Sequence, residues 1–175
     1  MTTETTPETA PDTGTGHPVN PPAGYTSLTP FVCVADAAAA IDFYTSVFGA
    51  RVVTRNDAPD GTVAHCELEF ASGRMQLSDP APDHHLVAPS GGDDVHHSTV
   101  LYVPDVDAVY AAAVAAGAKG YDEPSTFVTG DRYAALLDPF GHRWAVLTRV
   151  EDVDPEEAER RVEEWVAQQA TSTPS

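Results

Sequence analysis

The sequence predicts an α+β protein made of two βαβββ modules around a cleft, followed by a C-terminal helix. Three observations carry that expectation. A strand, helix cap, helix and glycine stop occurs twice; each copy is followed by alternating, strand-like sequence; and a glycine turn falls at the same place in both copies.

The first copy, FVCVADAAAAIDFYTSVFGAR at residues 31–51, aligns with VLYVPDVDAVYAAAVAAGAK at residues 100–119. In each, a short apolar strand meets an aspartate, Asp36 or Asp105, whose carboxylate can accept from the free N–H groups of a helix start. Each helix then stops at a glycine, Gly49 or Gly117, which adopts the left-handed conformation at little cost. Ile41, Tyr44, Val47 and Phe48 in one helix, and Val106, Val109, Tyr110 and Ala113 in the other, have the spacing of a stripe buried on a sheet. Alternating segments follow at 50–58, 62–71 and 73–79, and again at 125–129, 131–138 and 141–149. Gly73 and Gly141 sit in corresponding hairpins 68 residues apart, against 69 between Asp36 and Asp105.

Composition bounds the function. The formal charge is −18 with only 9 basic residues, and residues 25–150 are themselves acidic, with 16 acids against 7 bases. Nucleic acid is therefore excluded as a partner, because phosphate binding needs clustered cations. No apolar run approaches the roughly 20 residues of a bilayer span, so no membrane role is expected. Cys33 and Cys66 are too few for a disulfide scaffold and no charged-then-apolar leader is visible, which makes the cytoplasm the expected compartment.

The organisation expected is a disordered tail at 1–24, a domain at 25–150 with modules at 25–80 and 95–150, and a C-terminal helix and tail at 151–175. The tail is Thr, Pro, Glu and Gly with almost nothing to bury. Asp154, Pro155, Glu156 and Glu157 form a helix-start signature, and Ala158, Val162, Trp165 and Val166 give that helix one apolar stripe to dock on the domain or on a second subunit.

The AIDFY helix and the stretch GDRYAALLDPFGHRWAVLTRVED resemble the vicinal-oxygen-chelate superfamily of glyoxalases, bleomycin-resistance proteins and dioxygenases, in particular its PhnB-like branch. The resemblance covers about residues 25–155. It implies the paired-module fold, and it implies either an enzyme or a metal-free protein that sequesters a small molecule.

Strand parity assigns faces without the family, since consecutive side chains point opposite ways. Cys66, Leu68 and Phe70 belong under a helix, as do Met75, Leu77, Trp144 and Val146. His65, Glu67, Glu69, Arg74, Gln76, Arg143 and Ala145 then face the cleft, together with Thr29, Phe31, Ser98, Tyr102 and, in phase with them, His96. Arg132 is placed on the same side, where it could meet a substrate carboxylate or else pair with an acid of its own domain. Asp138, before Pro139 and Gly141, reads as turn chemistry.

The resemblance implies four metal-ligand positions, which fall here on Thr29, Gln76, Ser98 and Ala145. Hydroxyl, amide and methyl groups are poor replacements for the water shell of a divalent ion, so no metal cofactor is expected. His65, Glu67 and His96 are the best improvised alternative. Adjacent histidines at 84–85 and 96–97 point to opposite sides and form weak candidates. Two readings stay open: a protein that captures a small molecule, cationic or aromatic and antibiotic-like, between acidic and aromatic walls, or a metal-dependent glyoxalase- or dioxygenase-like enzyme. A homodimer is expected in either case.

Overall fold

A computed structural model describes residues 21–172. The first module runs β1 (Phe31–Cys33), α1 (Ala37–Val47), β2 (Arg51–Asp57), β3 (Val63–Glu69) and β4 (Arg74–Ser78). The second runs β5 (Ser98–Tyr102), α2 (Val106–Ala115), β6 (Lys119–Thr126), β7 (Asp131–Leu137) and β8 (Arg143–Arg149), and α3 (Pro155–Ser172) follows. The sheet orders are β1-β4-β3-β2 and β5-β8-β7-β6, with only the β1–β4 and β5–β8 pairs parallel. This is the expected α+β architecture of two βαβββ modules with a C-terminal helix.

The repeat extends to individual hydrogen bonds. Asp36 and Asp105 cap their helices by accepting from Ala39 N at 2.9 Å and Ala108 N at 3.0 Å. At the end of each module the residue beside the helix start also accepts: Ala37 N donates to Asp79 Oδ1 at 2.9 Å, and Val106 N donates to Thr148 Oγ1 at 2.9 Å. Both helices end with glycine at positive φ, 69° for Gly49 and 98° for Gly117.

One continuous core lies on the helix side of both sheets. Leu68, Leu77, Leu136, Val146 and Tyr44 are fully buried, and Trp144 is 2% exposed. The first module's helix reaches across to the second module: the Tyr44 ring lies 5.4 Å and the Phe48 ring 4.7 Å from Trp144. Asp138 fixes that junction. Its Oδ1 accepts from Phe140 N and His142 N, which is the expected turn chemistry, while its buried Oδ2 accepts from Tyr44 Oη at 2.7 Å and Trp144 Nε1 at 2.8 Å. Burial, and then the neighbouring Asp138 charge, hold the Tyr44 phenol well above the usual tyrosine range.

Two expectations need correction. The strand expected at 125–129 begins earlier, at Lys119, and ends at Thr126. Gly120 and Pro124 disfavour a regular central strand, but β6 is an edge strand with two register irregularities, and an edge tolerates a missing N–H donor. Arg132 is on the helix side, not the cleft side. It stands opposite Thr148 and shares parity with buried Ala134 and Leu136, and its guanidinium grips Asp107 of α2 with two bonds of 2.6 Å. That pairing holds the Asp107 carboxyl below its ordinary range.

The C-terminal helix starts at the expected cap, with Glu157 N donating to Asp154 Oδ1 at 3.0 Å. It docks on the domain through Trp165, edge-on to Phe127 at 5.3 Å, and through Arg161, which pairs with Glu151. No helix among the described residues is long and apolar enough to cross a membrane. Of the segment expected as a tail, residues 1–20 lie outside the described residues; residues 21–24 are exposed, and Tyr25 stacks under the Arg74 guanidinium at 4.7 Å.

Candidate ligand-binding site

Each sheet has one face under the helices and one open face, and the strand register assigns residues to both. On the first sheet Leu68 stands opposite Met75 and Cys66 opposite Leu77, all buried, while Glu67 stands opposite Gln76, Glu69 opposite Arg74 and Phe31 beside Gln76 on the open side. His65 shares that side, its ring 6.1 Å from Phe31. The charges there are internally matched. Arg74 lies 3.2 Å from Glu69 and 3.5 Å from Glu67, Arg51 also grips Glu69, and Gln76 Nε2 donates weakly to Glu67 at 3.4 Å. Hydrogen bonds from Arg51 and then Arg74 hold the Glu69 carboxyl below its usual range.

The second sheet's open face mixes apolar and polar groups. Tyr102 stands opposite Leu147, Val100 opposite Ala145, and Ser98 opposite Arg143. Val100 is 59% and Tyr102 52% exposed, so among the described residues nothing covers them, whereas the small Ala145 is buried between its neighbours. Asp131, paired with Arg149 at 3.3 Å, and Tyr133, not Arg132, are the β7 polar groups here. The Tyr133 hydroxyl accepts from Arg143 Nη2 at 3.1 Å and donates to Asp122 at 3.2 Å.

Where the modules meet, a cavity of about 460 Å³ opens between β1, the connection running from His85 to His97, and the turn into β8. Phe31, Leu86, Val87, Pro89 and Val95 give it apolar walls; His97, His142 and Arg143 give it polar ones. His142 is buried, its Nε2 is 3.1 Å from the Cys33 carbonyl, and its ring lies 6.0 Å from that of His97. Beside it the Cys33 thiol is pushed up, first by burial and then by Asp79.

Of the residues expected at a cleft, the structure brings Phe31 and His96 to this cavity. His65, Glu67, Glu69, Arg74 and Gln76 lie on the first sheet's open face, and Ser98, Tyr102 and Ala145 on the second's. Thr29 precedes β1, half-buried, with its hydroxyl 3.4 Å from the Thr26 carbonyl. Arg143, which strand parity places on the cleft side, also lines this cavity, whereas His142 and the stretch from His85 to Val95 were not expected. The connection has no periodicity to reveal its position.

The chemistry at the four implied ligand positions does not suit a divalent ion: two hydroxyls, an amide already beside Glu67, and a methyl. Among the described residues no group of three His, Cys, Asp or Glu side chains is arranged to hold a metal ion, so His65, Glu67 and His96 do not come together within the chain.

Two modules, an open face on each sheet and a junction cavity describe an architecture of a known kind. Residues 24–146 match the Glyoxalase/Bleomycin resistance protein/Dioxygenase superfamily, and the chain belongs to it. It is 34% identical over 134 residues to the uncharacterized protein Rv0887c of Mycobacterium tuberculosis, an alignment covering 75% of this chain and 79% of that one. Among solved structures it resembles TioX from Micromonospora sp. ML1, with TM-score 0.56, 25% identity, and 70% and 97% of the two chains covered. It also resembles the PhnB protein from Bacillus cereus, with TM-score 0.54, 17% identity, and 70% and 99% covered.

Proposed function

We propose that this protein captures a small, flat, antibiotic-like molecule without a metal ion, and that the junction cavity is where the molecule sits. The observation that carries the reading is the cavity itself. Its volume of about 460 Å³ is within the range of roughly 300 to 1,000 Å³ usual for small-molecule sites, and apolar walls with a few placed polar groups are the usual lining. The donor chemistry at Thr29, Gln76, Ser98 and Ala145 supports capture without metal. Aromatic character is the better-supported ligand feature, because the Glu67 and Glu69 carboxylates that would draw a cation are already tied to arginine.

The proposal extends to a cytoplasmic homodimer of the PhnB-like branch. Phe31 at 41%, Val100 at 59% and Tyr102 at 52% exposure leave apolar surface for a second copy to close over. Light scattering on a size-exclusion column is expected to return twice the 18.5 kDa chain mass.

The test is elemental analysis of the purified protein joined to a thermal-shift series over divalent metals and a panel of flat aromatic compounds. Capture predicts no stoichiometric metal, a melting temperature indifferent to metals, and a rise with some aromatic compounds. One tightly bound ion per chain, with no response to the aromatic panel, would replace this reading with the metal-dependent glyoxalase- or dioxygenase-like enzyme.

A further inference from the structure

Arg143 stands apart electrostatically. Eight of the nine lysine and arginine side chains have a carboxylate oxygen within 4.0 Å among the described residues; Arg143 does not. In a chain of charge −18 that is an unusual vacancy of partners. Among the described residues its guanidinium donates only to neutral hydroxyls, Ser98 Oγ at 2.8 Å and Tyr133 Oη at 3.1 Å. Asp122 is reached only through that Tyr133 hydroxyl.

The internal repeat shows what has changed around it. Arg74, 69 residues earlier, stands opposite Glu69 with Glu67 two pairs further on, on the same face; Arg143 stands opposite Leu137, and Ala135 is likewise two pairs further on. The cation persists while both of its acids are replaced by apolar residues. Half-buried, fixed by two hydroxyls and set in the cavity wall, the guanidinium keeps further N–H donors for a bound group.

We infer that Arg143 is the recognition point for a carboxylate on the captured molecule, whose flat apolar body lies against Phe31 and the imidazoles of His97 and His142. The inference rests on the cavity-capture reading and adds the charge of its ligand. A planar guanidinium matches a carboxylate with two parallel bonds, and removing competing acids makes that contact stronger. Long-range repulsion from the acidic chain and from Asp94 in the same wall opposes any anion, so the contact has to act locally, within the cavity.

The probes are 1-naphthoate and its neutral counterpart 1-naphthylmethanol, titrated calorimetrically into the full-length protein at physiological salt, where screening confines the repulsion to roughly 8 Å. The intact protein is expected to bind naphthoate roughly tenfold or more tightly than the alcohol. Arg143→Gln is expected to erase that preference, and Arg143→Lys to retain part of it. Equal binding of both probes by the intact protein would overturn the inference and leave cavity capture standing. Binding of neither would overturn both. A preference for naphthoate that appears only after removal of residues 1–20 would assign Arg143 to the chain's own acids and overturn the inference as well.

Discussion

Arg74 and Arg143 occupy equivalent places on the two sheets and live in opposite surroundings. On the first sheet the arginine sits among Glu67 and Glu69, and the face closes its own charge balance. On the second it sits among Ser98, Tyr133, Leu137 and Ala135, beside the exposed Val100 and Tyr102. Duplication keeps the backbone register and the helix-side packing, because both modules share one core; the open faces are under no such constraint. The difference teaches that the fold resides in the parity facing the helices and the specificity in the parity facing away.

The largest expected effect is on the shared side. Trp144→Ala removes the ring that joins Tyr44 and Phe48 of the first module to the second sheet, and should cost about 3 to 5 kcal/mol in denaturant unfolding. Leu68→Ala should cost about 2 to 5 kcal/mol by the same measurement. A loss well under that range would show that the two modules do not depend on one core.

An intermediate effect comes from making the second face resemble the first. Leu137→Glu places a carboxylate opposite Arg143, where Glu69 stands opposite Arg74. Calorimetry should then show the naphthoate preference falling by roughly tenfold, since the guanidinium has acquired its own anion. Unchanged preference would break the comparison at its main point.

Smaller changes are expected on the open side of the first sheet. Glu67→Ala and Gln76→Ala should each alter stability by less than about 1 kcal/mol, because both side chains are partly solvated and loosely bonded. If Glu67→Ala unfolds the protein and Leu68→Ala does not, the assignment of faces is inverted. The smallest effect is at Asp107. Its carboxyl is held below the ordinary range by Arg132, so the pair stabilises the fold above an aspartate's usual pKa of about 3.9 and the contribution is lost as pH falls through the lowered value. Unfolding curves of Asp107→Asn and the parent chain should differ slightly at neutral pH and converge in strong acid; divergence on acidification would contradict the sign.

Most of the fold was legible because it is written twice. Asp36 and Asp105, Gly49 and Gly117, and the alternation in β3, β4 and β8 each carry a local physical signal, and the structure shows the corresponding cap, stop or buried face. Arg132 was misplaced for an identifiable reason. In β7 the run Ala134–Leu137 is buried on both faces, so there is no alternation from which to count. The start of β6 was hidden by Gly120 and Pro124, whose turn-forming character an edge strand can absorb. Asp138 was legible as a turn residue, but its bonds to Tyr44 and Trp144 depend on distant chain segments meeting. The cavity was the least legible feature. Its walls come from a connection without periodicity, and its polar groups matter through their neighbours and not through their own sequence.

The central claim is that a small anionic aromatic molecule enters the junction between the modules. Amide chemical-shift mapping of the full-length protein, titrated with 1-naphthoate, tests it most directly. The account predicts saturable shifts concentrated at Phe31, His97, His142 and Arg143, with the β2–β3 side of the first sheet silent. Shifts centred on Glu67 and Arg74 instead, or none at saturating probe, would contradict it.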